Sequence, residues 1–202
     1  MTITFEPTYN GHPINTNKEK KQGCDTKILN KIDKTLEYAT NKHCKVLGVR
    51  FDLRYPKGYH ASKDNKDISE FMSKFNKDLK RKKLDPLTIW VREKSREKNQ
   101  HVHVAVMLDG NKIQFPNKIN ELATKHWQQT INSTNERLVD RCDKSSERKK
   151  QVSSYRLRRG AEDFNEQYDE CYHRFSYLAK ENTKEKDLNG NRRFGCSILP
   201  TS

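Results

Sequence analysis

Apolar residues recur along this chain with two periods, and the switches between them outline its elements. Residues 25–41 place Ile28, Ile32, Leu36 and Ala39 at helical spacing behind Asp25, a residue type suited to capping a helix N-terminus. From Lys45 the period becomes two. Val49, Phe51 and Leu53 alternate with Arg50, Asp52 and Arg54 as far as Pro56 and Gly58, which predicts a strand with one polar face. Residues 62–83 return to helical spacing through Ile68, Phe71, Met72, Phe75 and Leu79. Residues 87–93 and 101–108, rich in Val, Ile and Trp, read as paired strands joined by a polar loop over 94–100, and Asp109, Gly110 and Asn111 close the second with a turn. A further helix is predicted over 117–131 and another over 161–180. Residues 132–160 carry no clear period and read as a strand or loop hairpin, and 190–202 as a tail with a small apolar element around Phe194.

Helices and strands in this order predict an α+β domain, a mainly antiparallel sheet with packed helices and one sheet face to spare. Residues 1–23, with Pro7, Gly11, Pro13 and Gly23, read as a flexible N-terminal arm. Residues 24–197 form the domain, with 132–160 a candidate insertion and 198–202 a tail.

Composition narrows the class. Leu, Ile, Val and Phe supply 40 of 202 residues, close to the roughly 20% at which charged chains stop burying enough apolar surface to fold, so a single core is expected. Forty-one Lys and Arg against 27 Asp and Glu leave a net charge of +14. The charge is spread through the chain, which points to nucleic acid and not to a membrane-binding helix. The longest apolar run, 104–108, falls far short of the roughly 18 residues of a membrane span, and the N-terminus lacks a signal-peptide pattern. Five cysteines without a Cys-x-x-Cys pair indicate neither a disulfide framework nor a cysteine zinc site, which suits a reducing cytoplasm.

Side-chain alternation puts His101, His103, Ala105 and Met107 on one strand face and Val102, Val104, Val106 and Leu108 on the other, taken as the core side. The imidazoles then project about 7 Å apart at their Cα atoms, close enough to share a divalent cation. Hairpin pairing returns Glu93 near His101 as a third ligand. Regular alternation, however, puts Glu93 on the face of Leu87, Ile89 and Val91, so this reading calls for a twist or bulge at the strand end. Nitrogen and oxygen ligands with open positions suit Mg²⁺ or Mn²⁺ acting on phosphate oxygens, and Zn²⁺ shares the ligand types.

In the last helix Tyr177 and Lys180 fall one turn apart, away from the apolar stripe of Phe164, Tyr168, Cys171, Tyr172, Phe175 and Leu178. A phenol beside an ammonium is a candidate nucleophile, because the cation lowers its pKa or offsets the charge developing at an attacked phosphate. His173, one turn earlier, is a further candidate ligand or proton acceptor. Basic residues Lys80, Arg81, Lys82, Lys83, Arg148, Lys149, Lys150, Arg156, Arg158 and Arg159 are candidates for tracking a phosphate backbone, with Arg50 and Arg54 nearer the sheet face. Tyr55, Tyr59 and Trp90 are candidates for stacking on bases.

The segment from Val49 to Pro56, the block Trp90-Val-Arg-Glu93 with His101-Val-His103, and Tyr177-Leu-Ala-Lys180 together resemble the three motifs of HUH endonucleases, the rolling-circle replication initiators. Within that superfamily the chain is most similar to the inovirus-type gene-two replication proteins of phages, prophages and satellite elements, a likeness that Phe194-Gly-Cys-Ser197 shares. The resemblance spans about 45–197, and the long interval between His103 and Tyr177 departs from the compact viral members. It implies a sheet of about five antiparallel strands with the histidines on a central strand and the tyrosine on a helix across the open face. It also implies a sequence-specific nickase. Tyr177 attacks single-stranded DNA at a replication origin, leaving a 5′-phosphotyrosine and a free 3′-OH, while His101, His103 and Glu93 hold Mg²⁺ or Mn²⁺ and Lys180 offsets charge. Host helicase and polymerase in a bacterial cytoplasm would be its partners. The rivals are a non-catalytic origin or operator binder on the same fold and an RNA-binding sheet protein, the latter disfavoured by the lack of an aromatic RNA-recognition strand motif.

Overall fold

The computed structural model describes residues 2–59, 64–93, 100–144, 149–181 and 192–200. Short strands open the chain: β1 (Ile3–Thr4), β2 (Thr8–Tyr9), β3 (His12–Pro13) and β4 (Cys24–Asp25), with β1 on β4 and β2 on β3. Asp25 ends β4 and starts α1 (Thr26–Lys42), its carboxylate accepting the Lys27 N–H. There follow β5 (Lys45–Arg54), α2 (Lys66–Arg81), β6 (Leu87–Glu93), β7 (His101–Asp109) and α3 (Asn117–Ile131). The stretch 132–160 supplies β8 (Val139–Asp140) and β9 (Ser154–Arg158), and α4 (Phe164–Ser176) and β10 (Phe194–Cys196) complete the order. Arg148, the predicted helix start at Ser62, most of the loop after Glu93, the start of the predicted tail and residues 201–202 lie outside the described residues.

The main sheet has six antiparallel strands in the order β10-β6-β7-β5, with β8 and β9 both on the outer edge of β5. Its strand count exceeds the expected five because two short segments of 132–160 share that edge, β8 at Leu53 and Asp52 and β9 at Lys45 to Val49. The candidate insertion is therefore part of the sheet. The histidines sit on β7, a central strand.

Neither sheet face is spare. Leu47, Val49, Phe51 and Leu53 of β5 and Val102, Val104, Val106 and Leu108 of β7 pack beneath α2 and α3. On the other face Val46, Ile89, Val91, Ala105 and Met107 pack beneath α1 and α4. The open-face expectation is thus corrected. Gly48 is what lets α4 lie down: a Cβ there would meet Cys171 Sγ and Phe175 Cζ at 3.1 Å. That approach brings the C-terminal end of α4 over the histidines.

Residues 2–23, read from sequence as a flexible arm, are docked. Ile14 is buried, His12 Nδ1 is 2.6 Å from Asp169 Oδ1, and the Asn15 N–H donates to Ser176 Oγ at 2.8 Å. Too short for a core of their own, these strands complete that of α1 and α4.

Candidate metal centre and tyrosine

Strand register assembles the site. Glu93 pairs directly with His101 across β6 and β7, and Asp52 pairs with His103 across β5 and β7. Directly opposed residues share a face, so Glu93, His101, His103 and Asp52 all project toward α1 and α4. No bulge turns Glu93: the face of Leu87, Ile89 and Val91 is itself the histidine face, which corrects the expected twist.

One ligand atom each from Glu93, His101 and His103 lies within 4.8 Å of the other two. Glu93 Oε2 contacts His103 Nε2 and stands 3.5 Å from His101 Nε2. His103 is 1% exposed and Glu93 6%. Behind them, Asp52 Oδ1 lies 2.7 Å from His103 Nδ1. With a metal bound, a proton on Nδ1 donated to Asp52 would leave the Nε2 lone pair for the ion, the carboxylate–histidine arrangement that orients metal ligands. Burial opposes ionisation of Asp52, but the charges of His103 and Arg50 and the hydrogen bond from His103 outweigh it and hold its carboxyl well below the usual carboxylate range. Two imidazoles and a carboxylate on one buried point can bind a metal ion, with coordination positions left for a substrate.

Tyr177 caps α4 and opens a short 3-10 turn, Tyr177–Ala179, so it sits at a helix end and not on a helix interior as expected. Ser176, fully buried, accepts the Asn15 N–H and donates to the His173 carbonyl, and Cys24 of β4 bridges Lys180, so the N-terminal segment braces this turn. The Tyr177 ring meets His103 edge-on with centroids 5.3 Å apart. Arg50 Cζ lies 4.0 Å from the ring centroid and Lys180 Nζ 4.9 Å. The cations do not lower the phenol pKa overall. Burial pushes it up, the Arg50 charge opposes that, and Glu93 and Asp52 add to it. Lys180 is itself shifted down, chiefly by burial. The phenol is therefore protonated at neutral pH.

The other candidate residues divide. His173 is exposed and outside the ligand group. Arg50 is 3% exposed and pairs with Asp52 at 3.4 Å, so it supports the centre from beneath and does not track phosphate from the surface. Arg54 is exposed and paired with Asp140. Lys80, Arg81, Lys82 and Lys83 end α2 on the opposite side of the sheet, Arg81 bonded to Asp78 at 2.9 Å. Arg156 and Arg158 lie on β9 against Leu47 and Lys45, at the far end of β5 from Asp52, and Arg159 donates to the Asn41 carbonyl. Lys149 and Lys150 are exposed before β9. The α2 cations and Arg156, Arg158 and Arg159 are carried away from the histidines by alternation and strand order, whereas Arg54 stands directly opposite His101 across β5 and β7. Tyr55 is buried between Tyr59 and Trp127, and Trp90 packs against the core where a Cβ at Gly195 would fall 2.5 Å from its indole nitrogen, so packing accounts for these rings. Asp52 was missed as a partner of His103. Its place on the polar face of β5 was readable, but its pairing with β7 was not.

The family model of the YagK/YfjJ C-terminal domain matches residues 5–197. The chain belongs to that family. The matched span includes the docked N-terminal segment as well as Asp52, Glu93, His101, His103 and Tyr177, so the brace and the centre lie within one family domain. No curated protein and no solved structure matches the chain. Among the described residues no helix is long and apolar enough to cross a membrane.

Proposed function

We propose that this domain is a metal-dependent DNA nicking and joining endonuclease of the HUH type, initiating rolling-circle replication of a phage or mobile element. The observation that carries the reading is the edge contact of Tyr177 with His103, inside a buried Glu93, His101 and His103 group. Glu93, His101 and His103 would hold Mg²⁺ or Mn²⁺. The bound cation would supply a Lewis acid that polarises a phosphodiester.

The Tyr177 oxygen attacks phosphorus as its proton passes to solvent. The P–O bond to the 3′-oxygen breaks, that oxygen takes up a proton, and the 5′-phosphate remains on the tyrosine. Arg50 and Lys180 offset negative charge at the phenol, and Asp52 holds His103 in the ligating tautomer. Because the phosphodiester energy is kept in the phosphotyrosine bond, rejoining needs no nucleotide. Host helicase and polymerase would act on the released strand.

Wild-type protein with single-stranded origin DNA and Mn²⁺ is expected to form a denaturation-resistant adduct that a chelator prevents. An equal yield of adduct from Tyr177→Phe would exclude Tyr177 as the nucleophile. A second reading, DNA binding without chemistry, draws on the raised pKa of the half-buried phenol. Salt-sensitive binding with no adduct on any origin strand would select it.

A further inference from the structure

A groove of about 920 Å³ opens at the opposite end of β7 from His103, between the end of α2, the loop after β7 and the outer side of α3. Six residues of strand separate His103 from Asp109, roughly 20 Å, and the groove lies on the α2 and α3 face while His103 looks toward α1 and α4. It is therefore separate from the metal centre. Its floor is apolar, from Ile113, Ile119 and Leu122, continuous with the core.

Cations rim it. Lys82 closes α2, Lys112 follows the β7 turn, and Lys118 and Lys125 lie seven residues apart on α3, two turns along one side and about 10 Å apart on the axis. Among the described residues Lys82 and Lys118 form no salt bridge, while Lys112 pairs with Asp109 at 3.4 Å. Glu121 is the one acidic residue in the lining. At the lip stands Phe115, 66% exposed, with Arg156 Cζ 6.0 Å from its ring centroid and Arg156 bonded to Gln114. Two basic clusters that sequence left unplaced thus contribute here, through Lys82 and Arg156.

We propose that this groove is a second nucleic-acid site that binds single-stranded DNA, one base stacked on Phe115 and the flanking phosphates on Lys82, Lys118 and Lys125. An exposed ring amid spaced cations is the arrangement by which single strands are held without sequence readout. An acidic peptide would satisfy the lysines but would leave the ring unused. The existence of the site is independent of the nicking chemistry. Only the choice of DNA over RNA rests on that reading.

The test measures anisotropy of a labelled oligothymidylate of about 15 nucleotides with the whole protein in chelator, so that the metal centre contributes no covalent capture. Phe115→Ala is expected to weaken binding about tenfold. A Lys118→Gln, Lys125→Gln double variant is expected to make the log–log salt slope shallower by about 1.4. With 5-iodouracil in the strand, photo-crosslinks on wild-type protein should fall on the peptide carrying Phe115, a readout that needs no variant. Unchanged affinity and slope in both variants, or crosslinks confined to residues away from Lys82, 112–125 and Arg156, would overturn the site. Tighter binding of oligouridylate would overturn the choice of DNA. Polyglutamate competing as well as DNA, with Phe115→Ala silent, would make it a peptide groove. If adducts fail at Tyr177 but these effects hold, the nicking proposal falls and this site stands.

Discussion

Arg50 lies with its guanidinium carbon 4.0 Å from the ring centroid of Tyr177 while its Nη2 reaches Asp52 Oδ1 at 3.4 Å. One buried cation thus couples the tyrosine to the carboxylate that orients His103. Replacing it by Gln leaves Asp52 with less positive charge, and a loss of about 3 kcal/mol in unfolding free energy is expected. Because Arg50 pulls the Tyr177 pKa down against burial, its removal raises that pKa further. The pH–rate profile of adduct formation should then shift to higher pH, with Arg50→Lys recovering part of both effects. An unchanged profile and melting curve would reduce the contact to packing.

Metal should stabilise the fold. At about 100 times its dissociation constant Mn²⁺ is expected to add about 2.7 kcal/mol, seen as a melting shift of roughly 5–10 °C for a chain of this size and reversed by chelator. Glu93→Gln and His103→Ala should each abolish the shift. Asp52→Asn keeps all three ligands but loses the carboxylate behind His103, so it should weaken Mn²⁺ about 10–100-fold. Equal metal affinity in Asp52→Asn would show that the ligand needs no such support.

Gly48 sets how closely α4 approaches the sheet. A valine there drives methyl groups into Cys171 and Phe175, already 3.1 Å from an added Cβ, and should cost about 1–3 kcal/mol. Since α4 carries Tyr177, Mn²⁺-dependent adduct yield should fall more than metal affinity does. Calorimetry with the adduct assay separates the two.

Acid should loosen the pairing of α2 with α3. Asp78 accepts a 2.9 Å hydrogen bond from His126, which holds its pKa below the ordinary value. A carboxyl so depressed stabilises the fold above its unfolded pKa of about 3.9, and that contribution is lost as pH falls through the folded value. Asp78→Asn should cost about 1 kcal/mol at neutral pH and progressively less below about pH 4. A constant difference down to pH 2 would contradict the sign.

Periodicity was a sound guide to elements. The helix over 117–131 and the strand at 87–93 have the bounds that their apolar spacing implies, and Asp25 caps α1 as its residue type suggests. The covered second face had a visible sign too, in the unbroken apolar run 104–108, since strands buried on both sides lose their polar alternation. Ala105, Met107 and His103 accordingly lie on a covered face beneath α1 and α4. The docking of 2–23 had no comparable signal: Asn15 acquires its role from Ser176, 161 residues away, and Ile14 from the apolar cluster beneath α1 and α4 that it joins.

Sequence by itself determined the main helices and strands between residues 25 and 131, the excess of cations, and the ordered set of Glu93, His101, His103 and Tyr177, because each depends on spacing within one segment. Tertiary structure decided the rest. Alternation divides a strand into two faces but does not say which residue of a distant strand stands opposite. The pairing of Asp52 with His103 across 51 positions, the closing of the histidine face by α4 over Gly48, and the gathering of Lys82, Phe115 and Arg156 around one groove all follow from register and layer packing. Those are set by the joint burial of several segments at once.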